Sequence, residues 1–198
     1  MAGRNAHERP APDEHQRFAQ YLRDLAILRA AEEADLVAGV LRDPDQAMAQ
    51  SAVVRHLDHR AASLLPLPDE RFEDCAHTMA GQISELDFLT RRLHEWTLLR
   101  SITMGGRWAA EEVTTASDWF QRNAVETVTA PAVLALLTGT GRTRRARATA
   151  HRRRNAVETM TAPAVLALLT GTGRTRRARA TAHRRLRRRD RPPGWPDP

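Results

Sequence analysis

Apolar residues recur along this chain at three- and four-residue intervals, and no stretch keeps up the two-residue alternation of a half-buried strand. Phe18, Leu22, Leu25 and Leu28 share one helical face, and Leu36, Val37, Val40 and Leu41 form a second group. In "RDPDQAMAQSAVVRHLDHR", Asp43 is placed to cap, Pro44 suits the first helical position, and Asp45 complements the positive helix start. Met48, Ala52 and Leu57, with Val53 or Val54 between them, then make a buried stripe. Pro66 and Pro68 interrupt the pattern. Beyond them Phe72, Cys75, Met79, Ile83, Leu86, Leu89, Leu93, Trp96 and Leu99 predict helix from Asp69 to about Thr103, with a break near Gly81 and an end at Gly105–Gly106. Trp108, Val113, Ala116, Trp119 or Phe120, and Ala124 continue the helical period. Trp96, Trp108 and Trp119 are expected as core anchors.

Next comes a near-perfect tandem repeat. "RNAVETVTAPAVLALLTGTGRTRRARATAHRR" spans Arg122–Arg153 and returns at Arg154–Arg185 with a single change, Val128 to Met160. A period of this length is typical of helical solenoids, in which each unit buries its apolar face on the next. Each copy reads as two helices. Thr129 would cap the first, which has Pro131 in its first turn and Val133, Leu134, Leu136 and Leu137 as its apolar side. Gly139 would stop it, and Gly141 would allow a left-handed turn. Thr143 would cap the second helix. There, at about 100° per residue, Ala146, Thr149 and Ala150 gather beneath Arg144, Arg145, Arg147, His151 and Arg152.

These patterns predict an all-α protein of roughly eight to ten helices in antiparallel hairpins, a short solenoid or helical array. Residues 1–12 read as a frayed tail, 13–121 as an acidic helical region and 122–190 as the basic repeat region continuous with it. The proline-rich 191–198 should be irregular.

Charge sharpens the picture. The net charge of +7 conceals a split: residues 1–120 carry 13 Arg against 20 carboxylates, and residues 121–198 carry 18 Arg against four. Such asymmetry points to an acidic partner for the C-terminal part. The chain has no Lys, so its use of Arg also fits a genome rich in G and C, with arginine accumulating on a solvated face. The longest apolar run, "AVLALL", is far too short to cross a bilayer, and the N-terminal residues are polar. No membrane partner and a cytoplasmic location are expected. One cysteine, Cys75, excludes an internal disulfide.

The motif "LLTGTGRT" ends like a phosphate-binding loop. The pattern G-x-x-x-x-G-K-[ST] would place its first glycine at Leu136 or Leu168 and its lysine at Arg142 or Arg174. Lys works there as a compact point charge that Arg does not replace freely, and a proline-started helix stands where a strand is needed. A glycine turn between helices is the simpler reading, and no cofactor is expected. His56 with His59, and Cys75 with His77, are too sparse for a structural zinc site, and Cys75 lies on an apolar stripe, so no metal is expected. Glu32–Glu33, Glu111–Glu112 and the Asp69–Asp74 cluster read as solvated helix ends. Nothing in the spacing pairs a nucleophile with a base, including Cys75 with His77 or His94, and no enzymatic activity is expected.

The segment "LRDPDQAMAQSAVVRHL", Leu41–Leu57, resembles the second half of a HEAT repeat, with its Asp-Pro-Asp turn leading into a helix of small and apolar residues. "GRTRRARATAHRRL", Gly173–Leu186, is similar through Ala178, Arg179, Ala182 and Leu186, with Gly-Arg-Thr in place of the Asp-Pro turn. The resemblance implies a curved helical scaffold for binding and brings no catalytic residues. The candidate anion-binding residues are Arg142, Arg144, Arg145, Arg147 and Arg152 in the first copy, and Arg174, Arg176, Arg177, Arg179 and Arg184 in the second. The expected partner is an acidic macromolecule. Nucleic-acid backbone held without sequence specificity is the leading case, and an acidic protein surface is the alternative.

Overall fold

The computed structural model describes residues 13–27, 29–67 and 70–172, without the side chains of Ala30 and of residues 160–172. Every regular element among them is helical, in agreement with the periodicity. The chain divides into two compact units at Arg107/Trp108.

The first unit holds α1 (Glu14–Ala26), a 3₁₀ turn (Ala30–Glu32), α2 (Glu33–Leu41), α3 (Gln46–Leu64), α4 (Arg71–Ile83) and α5 (Asp87–Thr103). Helix α3 is central: α1, α2, α4 and α5 all pack on it, and α4 also lies against α2 and α5. The stripe Met48, Ala52, Val53 and Leu57 is buried there with Val37, Val40, Phe72, Met79, Ile83, Leu89 and Leu99. The Asp-Pro-Asp turn works differently from expectation. Asp45, not Asp43, caps α3, accepting from the Met48 N–H at 3.0 Å. Asp43 turns inward and accepts from the Asp45 N–H at 2.8 Å. The break in the long apolar stretch falls at residues 84–86, with Gly81 inside α4. A corner there lets Thr90 donate its hydroxyl to the last α4 carbonyl, Ile83, at 2.9 Å.

The second unit begins with α6 (Ala110–Thr115) and α7 (Asp118–Thr127), continues with α8 (Pro131–Thr140) and runs into α9 (Arg144–Thr172). Helix α8 packs on α6, α7 and α9, and α7 also packs on α9. Ser117 interrupts what the sequence suggested was one helix, its hydroxyl capping α7 through the Phe120 N–H at 3.2 Å. Val113, Phe120, Ala124, Val125, Val128, Val133, Leu134 and Leu137 form the core, while Trp108 and Trp119 are only half-buried. Among the described residues no helix is long and apolar enough to cross a membrane.

The two repeat copies do not adopt one structure. In the first, helix ends at Thr127, Val128–Ala130 is extended, and Pro131 opens α8, where its missing N–H would be unpaired anyway. In the second, the same residues through Thr172 lie inside α9, and Pro163 sits in a helix interior. A proline there forfeits a backbone hydrogen bond and costs about 3 kcal/mol. The remainder of the second copy lies outside the described residues.

Identical segments behave differently because their preceding residues differ. The first copy follows Trp119-Phe120-Gln121, two of which are fully buried. The second follows His151-Arg152-Arg153, with His151 and Arg152 exposed. A buried anchor therefore ties the first copy to a core where a bend after Thr127 lets α8 fold back, and the second copy has no such anchor. The single substitution acts in the same direction. Val128 lies at the bend with φ −74° and ψ 145°, and a β-branched residue favours extended backbone. Met160 favours helix.

Candidate nucleic-acid interface

The arginines begin at the α8–α9 turn, Gly141-Arg142-Thr143. Helix α8 runs past Gly139 and ends at Gly141. Thr129 does not cap it; Ala130 holds that position without a side-chain bond. Gly141 is not left-handed either, since its φ is −55°. Its role is close approach: a Cβ would lie 2.6 Å from the Leu137 carbonyl oxygen and 3.0 Å from Arg147 Cγ. Gly141→Ala is therefore expected to lower the stability of the second unit by about 1–3 kcal/mol through overpacking against backbone. Gly139→Ala, in open space on the same helix, should raise it by about 0.5–1 kcal/mol. Urea unfolding of both variants checks the pair of signs.

Gln121 holds this turn in place. It is almost fully buried, its Nε2 donates to the Val113 and Thr114 carbonyls at 3.4 Å each, and its Oε1 accepts from the Arg142 N–H at 2.7 Å. One side chain thus joins the end of α6 to the start of the basic segment. Nothing in the sequence marks this role beyond a Gln immediately before the repeat. Thr143 does cap α9, accepting from the Ala146 N–H at 3.1 Å.

Along α9 the expected division of faces is present. Ala146 is 1% exposed and Ala150 0%, with Thr149 half-buried beside them. Arg144, Arg145, Arg147, His151 and Arg152 are exposed. Their surroundings differ. Arg142 pairs with Asp118 at 3.2 Å and also reaches the Ala116 carbonyl. Arg147 donates to the Gly141 carbonyl at 2.6 Å and so braces the turn. Arg152 donates to the neighbouring Thr149 hydroxyl at 3.2 Å. No described carboxylate lies within ion-pair distance of Arg144, Arg145 or Arg152. Arg153, on the inner side, donates to the Glu126 carbonyl near the end of α7. Arg174, Arg176, Arg177, Arg179 and Arg184 lie outside the described residues.

Elsewhere the charged groups are internal clamps. Glu33, expected at a solvated helix end, is 2% exposed and accepts from His56 Nε2 at 2.7 Å and from Arg60 at 3.3 and 3.4 Å, which locks α2 to α3. Burial alone would push its carboxyl up; hydrogen bonds from His56 and Arg60 outweigh that and hold it below the ordinary range. Asp43 is likewise held low, first by the Asp45 N–H and then by Tyr21 and Arg17, which donate at 2.8 and 3.1 Å from α1. Asp58 accepts from Trp96 Nε1 at 2.8 Å and Arg92 at 2.7 Å, linking α3 to α5. Arg100 donates to the carbonyls of Leu64 and Leu67 at 3.1 and 2.9 Å, satisfying the frayed end of α3, and its guanidinium lies over the Phe72 ring.

His56 is committed to Glu33, whereas His59 and His77 are exposed and Cys75 is buried, its thiol pushed up by burial. No group of three or more metal-binding side chains occurs among the described residues. His94, the other proposed companion of Cys75, is exposed on α5. Comparison with family models, curated proteins and solved structures finds no match to this chain.

Proposed function

We propose that the protein is a non-catalytic helical binding module, a scaffold of HEAT-like kind, whose α9 arginines hold the backbone of a nucleic acid. One observation carries the reading. Arg144, Arg145 and Arg152 stand exposed on a helix whose Ala146 and Ala150 are buried, and no described carboxylate pairs with them as carboxylates pair with Arg17, Arg60 and Arg92 in the first unit. Guanidinium groups held this way exchange condensed counterions for phosphates, which makes binding independent of sequence and steeply dependent on salt. No aromatic residue interrupts the basic stretch, so stacking on single-stranded bases is not part of the mode.

The rival partner is an acidic protein surface, and the excess of carboxylates in residues 1–120 keeps a second copy of the chain among such surfaces. The full chain, titrated with a random-sequence duplex at low salt in the presence or absence of an excess of an unrelated acidic protein, separates the two. Retention of the duplex under competition supports the proposal. Failure to bind at low salt, or complete displacement by the acidic protein, overturns it.

A further inference from the structure

Resting on that reading, we propose that the outward face of α9 over Arg144–Asn155 is shaped for the major groove of double-stranded B-form DNA. At about 100° per residue the exposed positions sort into a central line and two edges. Arg144, Ala148, His151 and Asn155, spaced by four, three and four residues, form the line; all four are exposed. Arg145 and Arg152 fall together on one edge, and Arg147 on the other, about 140–160° away around the axis. The centre of the face thus carries Arg144 at its N-terminal end and then one small residue and two hydrogen-bonding side chains, His151 and Asn155, whereas the edges carry Arg145, Arg147 and Arg152. Asn155 Nδ2 lies 3.3 Å from His151 Nε2, so the two polar groups form one unit at the far end of the line.

That distribution matches what a groove presents. A helix with its side chains is about 10–12 Å across, and the B-DNA major groove is about 12 Å wide with phosphates on both rims and hydrogen-bonding base edges on its floor. Cationic edges meet the rims, and beyond Arg144 the central line is narrow at Ala148 and carries no arginine as far as Asn155, which lets the helix sink. Asn and His at that line face base edges, where Asn pairs with adenine most readily. A flat phosphate-binding surface would need no such order and would gain from a cation where Ala148 stands. The mounting of α9 also fits. A short glycine-containing turn follows α8, the alanine side is seated on α7 and α8, and the opposite side is left outward, which is how helix–turn–helix proteins offer their second helix to DNA. Glu158, paired with Arg154 at 3.5 Å, marks where the basic surface ends.

A-form RNA has a deep, narrow major groove that a helix does not enter, so the groove mode and simple backbone attraction predict different preferences. The test measures the affinity of the full chain for DNA and RNA duplexes of equal length and matched sequence, with wild type and Ala148→Phe. This exposed substitution changes no charge, and circular dichroism confirms that the fold is kept. The proposal expects DNA to bind about tenfold or more tightly than RNA, and Ala148→Phe to remove most of that preference while leaving RNA affinity unchanged. Equal affinity of wild type for both duplexes, or an undiminished DNA preference in Ala148→Phe, overturns the groove mode and leaves backbone binding standing. Absence of binding to either duplex at low salt overturns both.

Discussion

Phe120→Ala is expected to destabilise the second unit by about 3–5 kcal/mol, enough to leave a marginal helical unit largely unfolded. Phe120 is 0% exposed and the largest fully buried side chain among the described residues. It lies on α7, which packs on both α8 and α9, so its loss leaves a cavity where three helices meet. Replacing the residue at the equivalent place ahead of the second copy, Arg152→Ala, should leave stability unchanged within error, because that side chain is exposed. Urea unfolding followed by far-ultraviolet circular dichroism reads both. A small loss for Phe120→Ala would mean that this side chain is not what bends the first copy, and the explanation of why two near-identical segments fold differently would fail with it.

The second large effect lies in the first unit. Glu33→Ala is expected to cost about 3 kcal/mol, the low end of the range for breaking a buried ion pair, because Arg60 is 32% exposed. The same carboxyl gives a signed pH dependence. Glu33 and Asp43 are both held below their ordinary values in the folded chain. Folding therefore gains from their ionised forms above the unfolded-state range near about pH 4, and the gain is lost as pH falls through the lower folded values. Acid unfolding of wild type should steepen below about pH 4, and the Glu33→Gln, Asp43→Asn double variant should flatten that limb and lower the plateau above about pH 5 without changing its slope. An unchanged acid limb would contradict the assignment.

Much of this fold was legible in the sequence because helical period and burial share one cause. The stripe Phe72, Cys75, Met79 and Ile83 reads off three- and four-residue spacings, and those residues are the buried ones. The Ala146–Ala150 seam beneath arginines was legible for the same reason. Local chemistry was harder to read. Asp43 and Asp45 are both credible caps two residues apart, and only the inward donors Tyr21 and Arg17, more than 20 residues away, decide between them. Gly141 resembled a left-handed glycine because turn propensity does not reveal how closely the Leu137 carbonyl approaches. Glu33 looked solvated because its partners His56 and Arg60 come from another helix. The unequal folding of the repeat was the least legible feature: it depends on what precedes each copy, and a period search compares only the copies themselves.

The salt dependence of duplex DNA binding, compared between the wild-type chain and an Arg144→Gln, Arg145→Gln, Arg152→Gln variant, tests the proposed interface most directly. These three residues are exposed and outside the core, so the fold should survive their replacement. If each neutralises one phosphate, the slope of log affinity against log salt should become shallower by about 2.7, at about 0.9 per contact, with arginines elsewhere in the chain supplying the remainder. A variant whose slope and affinity equal those of wild type would contradict the account, placing the nucleic acid somewhere other than α9.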